Sequence, residues 1–462
     1  MEQNSENFYH ALEFRSDLCM GCSHCMMKCP TEAIRVVDGK AVLNSERCVD
    51  CGECYRVCPY AAVVVRQGDF EKIKNYKYRV ALMPSVFSAQ FPDKITYQQI
   101  YKALISIGFT HVYETENSVD VLIKPYNDYI MAQKNKPVIS SFCPAIVRLI
   151  QVRFPALVPH LMLIKPPLEV TALCINKKFE DMGIPQSEVG IFYVTPCAAK
   201  VSGLKSSVVT DSTAINGGVI NMNYLYNKVY REIKQKGISS APDVEIADFR
   251  VMSKRSLRWS LNTGETRILD TEKKLAIDEI KNVIEFLEKL ENEEVEDIDF
   301  LELRACYKSC AGGILCAGNK FLTNERARKR YLKATNEIAE NAEFIKYHSF
   351  VYDNCRLLGE IKPRSIVKLD DNIAEAMRKM KRINKLKDAL PQVDCGICGA
   401  PSCSAFAEDM VQQGADIRTC VFVQKILLQN NKLDLQQAID LMKKTWGKDK
   451  LDNPFFEVLK NK

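Results

Sequence analysis

Eight of the nineteen cysteines fall between residues 19 and 58, in two copies of one pattern. Cys19-x2-Cys22-x2-Cys25-x3-Cys29-Pro30 returns 29 residues later as Cys48-x2-Cys51-x2-Cys54-x3-Cys58-Pro59. Three thiolates at intervals of three can wrap three corners of a four-iron cubane, and the fourth ligand must come from elsewhere. Two such loops solve this by exchange. Cys19, Cys22, Cys25 and Cys58 then serve one cluster, and Cys48, Cys51, Cys54 and Cys29 serve the other. A third group, Cys395-x2-Cys398-x4-Cys403-x16-Cys420, offers four more soft ligands, with Gly396 and Gly399 loosening the loop. Zinc is the competing metal for such thiolates; the duplicated spacing argues against it in the first region.

These ligands need elements to hold them. Each N-terminal cysteine loop is followed by a short apolar run, AIRVV or AAVVV, suited to a strand. From about residue 76 to 360, strand-like runs (RVALMP, HVYET, VGIFYVTPC) alternate with helical patterns such as Ile277 to Leu290. That alternation predicts an α/β domain with ligand-bearing loops at strand ends. Glu291 to Asp299 reads as a solvated acidic loop or helix end. Asn372 to Leu386, NIAEAMRKMKRINKL, spaces apolar residues at helical intervals and predicts an amphipathic connecting helix; two further helices and a lysine-rich tail follow the last cysteines.

Residues 14 to 66 resemble a bacterial two-cluster ferredoxin, which implies electron relay. The middle domain resembles the cluster-binding region of iron-only (FeFe) hydrogenases, on four segments in the family's order. They are Met83-Pro84-Ser85-Val86, Ser140-Ser141-Phe142-Cys143-Pro144, Thr195-Pro196-Cys197-Ala198-Ala199-Lys200, and Glu302-Leu303-Arg304-Ala305-Cys306-Tyr307-Lys308-Ser309-Cys310-Ala311-Gly312-Gly313. The resemblance implies that Cys143, Cys197, Cys306 and Cys310 hold a cubane. It also implies that Cys310 bridges to a two-iron unit with carbonyl, cyanide and azadithiolate ligands, together the H-cluster. Pro84 and Ser85 would lie in a loop near that unit, and Lys200 would donate hydrogen bonds to a cyanide. Residues 391 to 425 resemble a small 4Fe-4S domain appended to anaerobic redox proteins. The expected architecture is α/β: a hydrogenase-type catalytic domain (76–360) flanked by an α+β two-cluster ferredoxin domain (1–68) and a small helical 4Fe-4S domain (391–462), with a helical linker (361–390).

Several positions depart from the family pattern. Phe142 stands where the family usually has a proton-passing cysteine, Pro166-Pro167 where it has a Ser-Pro pair, and Pro125 and Tyr126 where paired glutamates are expected. Thr195 and Arg304 replace two methionines, and Tyr307 and Lys308 change the loop between two ligands. No ligand is lost. The pattern is similar to a divergent, sensory branch with slow turnover, and Cys316 or Lys308 are candidates to begin a replacement proton path. Cys174 and Cys355 read as small buried hydrophobes. The resemblance implies three 4Fe-4S clusters plus the H-cluster, dihydrogen and protons as reactants, a redox partner such as ferredoxin or a signalling protein, and maturation proteins. A non-catalytic, hydrogenase-related electron-transfer or scaffold protein is the alternative.

Bulk composition sets the outer limits. Hydrophobic content of 47% with 26% charge suits a folded globular chain of two or three domains at 462 residues. The formal charge of +6 suggests nucleic acid or membrane, yet each oxidised cubane with its four thiolates carries about −2 and brings the holoprotein near neutrality. No basic stripe with interleaved aromatics is present, and no apolar run reaches membrane-spanning length. The absence of a signal-like start, together with this many short-spaced thiols, predicts a reducing, cytoplasmic and anaerobic setting.

Overall fold

The computed structural model describes residues 9–206, 214–236, 252–334, 344–357, 359–364 and 369–451. Residues 452–462 of the expected tail lie outside them. The chain forms two compact units: one joins Leu12–Val65 to the described residues from Arg364 onward, and the other holds the described residues up to Ala11 and from Arg66 to Pro363.

The first unit carries the 29-residue repeat as structure. Strand β1 (Leu12–Phe14) leads into the first cysteine loop, a short helix His24–Lys28 and β2 (Ile34–Val37). After β3 (Lys40–Leu43), the second loop gives the helix Glu53–Val57 and β4 (Val63–Val65). β1 pairs antiparallel with β4, and β2 with β3 across the two-residue turn Asp38-Gly39. Both turn residues have positive φ, 49° and 68°, the conformation that a tight hairpin of right-handed twist demands. Positive φ also recurs in register, at Gly21 and Asp50 and again at Glu32 and Ala61.

The C-terminal segment completes the same unit. Val36 donates its N–H to the Gly399 carbonyl at 2.9 Å, and Asp38 and Gly39 donate to Lys444 and Thr445 at 2.8 and 3.0 Å. Arg35 grips Asp409 with two nitrogens at 2.5 and 3.0 Å, and Arg47 pairs with Glu408. The helix expected at Asn372 to Leu386 runs Ile373–Ala389, capped by the Asn372 side chain. It is not a free connector. Ile383 and Leu386 pack with Leu390, Ala405 and Phe406 in the unit's second core, whereas Ile373, Met377 and Met380 at its N-terminal half stay exposed. Helices Val421–Gln429 and Leu435–Trp446 follow the last cysteine as expected.

The second unit is built on parallel strands. β5 (Tyr78–Met83) lies between β6 (His111–Glu114) and the later β8 (Val189–Thr195), which pairs in turn with β9 (Gly218–Asn221). β8 is buried along its whole length, which accounts for its unbroken apolar sequence. A smaller parallel sheet is ordered β10 (Lys274–Asp278), β11 (Phe300–Arg304), β7 (Val138–Ile139). Ile277 therefore lies in a strand, and the helix expected from it begins at Ile280 after Glu279 with a φ of 71°. The acidic segment after it is helix end and loop, as expected. Parallel strands in both sheets aim their C-terminal ends at loops, and these loops carry the candidate ligands.

Candidate metal centre

In the N-terminal loops, buried thiols from both copies of the repeat lie within electrostatic reach of one another. Burial pushes Cys25 up to about 12, and the neighbours adding to the rise are Cys22, Cys19 and Cys58. Cys54 is likewise raised by burial and then by Cys51, Cys48 and Cys29. Buried thiols crowded in this way cannot all ionise beside one another, so they need a cationic core to bind as thiolates. The backbone already serves both loops alike. Ala33 donates to Cys29 Sγ at 3.2 Å, and Ala62 donates to Cys58 Sγ at 3.3 Å, matched N–H···S bonds of the kind that tune cluster potential.

The third group closes around one small cavity lined by Cys395, Cys398, Cys403 and Cys420 together with Leu390 and Phe406. Burial raises Cys398 to about 11, aided by the other three thiols. Gly396 and Gly399 have φ of 74° and 85°, and a Cβ on Gly399 would lie 2.5 Å from the Val36 carbonyl oxygen. Trp446 Nε1 donates to the Ile397 carbonyl at 2.8 Å, fixing this loop to the last long helix.

In the second unit four thiols arrive from three strand ends. Cys143 follows β7 by a short turn and caps the helix Pro144–Arg153; Cys197 follows β8 and caps the helix Ala198–Lys205. Cys306 and Cys310 share the loop after β11. Gly312 and Gly313 let loop backbones meet: a Cβ would fall 2.0 Å from the Tyr307 oxygen in the first case and 2.5 Å from the Pro196 oxygen in the second. Leu315 then donates to the same Pro196 carbonyl at 2.9 Å, locking the Cys310 loop to the Cys197 loop. Burial raises Cys197 to about 12, opposed by Lys200 and reinforced by Cys143 and Cys310.

Lys200 lies on the first turn of the helix after Cys197, 7% exposed, with Nζ 4.0 Å from Cys310 Sγ. Burial works against its charged form, and the interactions with Cys310, Tyr193, Cys197 and Cys143 more than offset this, so the Lys200 pKa lies above its ordinary value. Its ammonium also lies over the Phe142 ring, 4.3 Å from the centroid. The Arg304 guanidinium lies over that same ring at 3.7 Å. Arg304 is fixed by Glu265 at 2.7 Å and Glu302 at 3.4 Å, all buried. This group of buried charges gives no pattern in the sequence, because Lys200 and Glu265 come from elements other than β11, which holds Glu302 and Arg304.

Each of the other expected residues has defined surroundings, and Cys174, Cys355 and Cys316 lie where the sequence places them. Ser85 donates both its N–H and its hydroxyl to buried Glu116, which fixes the turn after β5 to that carboxylate. Pro84 sits beside it in the turn after β5. Burial raises Glu116, with Glu114 nearby adding to it against hydrogen bonds from Ser260 and Ser85. Glu114 is held by Arg330 at 2.6 and 2.8 Å. These two buried carboxylates at the end of β6 give no signal in the sequence, which points for paired glutamates to Pro125 and Tyr126 instead. Tyr126 is a core ring set edge-on to Trp259, 5.3 Å between centroids. Pro166 and Pro167 start the helix Pro167–Asp181. Cys316 donates toward the Cys310 carbonyl at 3.4 Å, and Lys308 takes a left-handed conformation with its N–H on Asp278. Cys174 and Cys355 are core residues.

A four-iron cubane fits the donor chemistry of each thiol group. At the fourth group, buried polar atoms without a partner among the described residues include Arg304 Nη1 and Ser309 Oγ, as a site for a ligand-bearing anion requires. Grouped soft thiol donors of this kind suit iron-sulfur clusters. Residues 77–215 match the C-terminal domain of the iron-only hydrogenase large subunit, residues 11–59 a 4Fe-4S dicluster domain, and residues 390–422 an Fe-S cluster family. The chain is similar to the periplasmic Fe hydrogenase large subunit of Nitratidesulfovibrio vulgaris, 30% identical over 213 residues. That alignment covers 41% of this chain and 50% of the relative, so the chain spans about half the length of the curated relative it matches. Among solved structures, an FeFe-hydrogenase of Chlamydomonas reinhardtii overlaps 62% of this chain and 94% of its own at 16% identity and a TM-score of 0.46. A second structure from that alga overlaps 60% and 88% at 18% identity and a TM-score of 0.41. Among the described residues, no helix is long and apolar enough to cross a membrane.

Proposed function

We propose that this protein is an FeFe-type hydrogenase that reversibly converts dihydrogen to two protons and two electrons, slowly and in a sensory or regulatory role. The observation that carries the reading is Lys200, a buried ammonium 4.0 Å from Cys310 Sγ and close to Cys197 and Cys143. In this scheme Cys143, Cys197, Cys306 and Cys310 would hold the cubane, and Cys310 would be the ligand that serves the two-iron unit as well. When bound, that unit supplies heterolytic hydrogen cleavage with its bridging amine as the base. Lys200 donates to a cyanide and compensates the site's negative charge. Phe142 offers no ionisable group, and its buried ring excludes water from the side where a relay thiol would serve, so proton delivery limits turnover. The three other cubanes carry electrons to a redox or signalling partner, and we place the protein in a reducing, anaerobic cytoplasm served by maturation proteins.

The test is an infrared spectrum of anaerobic protein co-expressed with hydrogenase maturation factors. Carbonyl and cyanide bands that move when hydrogen is added are the expected result. No bands, with about sixteen irons per chain as four cubanes, would leave the second reading, a non-catalytic electron-transfer or scaffold protein. The pair of cations over the Phe142 ring favours that reading, since each already has the ring as a partner without a cofactor.

A further inference from the structure

Arg304 is 2% exposed and spends only part of its donor set inside the protein. Nε faces Glu302 at 3.4 Å, and Nη2 donates to Glu265 at 2.7 Å and to the Trp259 carbonyl at 3.3 Å. Nη1 is buried with no partner among the described residues. Leaving a cationic donor unmatched in the interior is costly, so Nη1 points to a ligand. The carboxylates have donors of their own. Glu302 accepts N–H bonds from Gly264, Glu265 and Thr266, and Glu265 accepts the Ser140 hydroxyl at 2.7 Å. They therefore aim the guanidinium; they do not depend on it for their hydrogen bonds. The aim is set at the end of β11, two positions before Cys306, over the Phe142 ring and within electrostatic reach of Cys310 and Cys143.

We propose that Arg304 is a second cofactor-binding cation, with Nη1 donating a hydrogen bond to an anionic ligand of the two-iron unit alongside Lys200. The inference rests on the hydrogenase reading above. A methionine, which the family has at this place, contributes contact alone; a guanidinium adds charge and a directed donor, and draws electron density toward the ligand it meets.

The test compares cyanide and carbonyl bands in matured wild-type protein, the double variant R304M/E265Q and the conservative R304K. The double variant removes the cation together with its nearest carboxylate, and the remaining Glu302 keeps its backbone N–H donors, which limits the buried charge left uncompensated. Displacement of one cyanide band in R304M/E265Q, with a smaller displacement in R304K and circular dichroism unchanged, is the expected outcome. Coincident bands in wild type and R304M/E265Q overturn the proposal while leaving the hydrogenase reading intact. If the double variant does not fold, R304K decides alone: coincident bands overturn the proposal and displaced bands support it. Absence of all bands from the wild type overturns the hydrogenase reading, and this inference with it.

Discussion

The two N-terminal cysteine loops and the four-thiol site at the parallel strand ends both gather thiols suited to iron, by opposite means. In the loops, nearly everything is local: ligand spacing, positive-φ positions and N–H···S bonds repeat in register, so a segment of a few dozen residues states its own chemistry. At the strand ends, the thiols come from three distant segments, and the electrostatics depend on Lys200, Glu265 and the β11 pair Glu302 and Arg304, three separate stretches of chain. Local sites tolerate change around them, whereas assembled sites do not.

Ligand replacement separates the two most strongly. Cys197→Ser should remove about four irons and every carbonyl and cyanide band with them, whereas Cys25→Ser should cost about four irons and leave those bands in place. Iron analysis with infrared spectroscopy reads both, and bands surviving Cys197→Ser would break the assignment of the assembled site. Lys200→Met, which keeps all ligands, should lower occupancy of the two-iron unit about 10–100-fold, measured by band intensity per cubane. Stability comes next. Arg304→Met leaves two buried carboxylates facing a lost cation and should destabilise by about 3–5 kcal/mol in urea unfolding, more than R304M/E265Q. Asp409→Ala in the first unit removes a two-nitrogen grip and should cost about 1.5–3 kcal/mol. The smallest effect is a slope. Burial, against the pull of Arg304, pushes Glu265 up to about 7, above the ordinary value of about 4.3. The native state then holds this proton more tightly than the unfolded chain, so Glu265 favours folding when protonated and withdraws stability as pH rises from about 4.3 to about 7. Glu265→Gln should flatten that part of the stability profile, and an unchanged slope would show that Glu265 is already ionised at low pH.

The same contrast explains what can be read from the sequence. Strand runs such as VGIFYVT are visible because a strand buried on both faces must be apolar throughout. The short β7 and the β10 strand are not legible, since two residues carry no period and the half-buried, charged β10 lies directly before a strongly amphipathic helix. Cysteine spacing marks out the ligands, but a buried glutamate looks like any other glutamate until its neighbours are known. Glu116 and Glu265 become visible only once Ser85 and Arg304 are placed against them.

The cluster unit draws its halves from either side of the intervening domain in the chain, and Arg35 and Asp409 stand 374 positions apart. On a ribosome, the first cysteine loops therefore emerge long before the residues that cover them. During that interval β2 lacks its Gly399 partner, and the thiols of a half-built unit face the cell. The order of synthesis thus sets a schedule for iron: clusters loaded early must survive uncovered, and a fully shielded unit exists only after the last helices have joined.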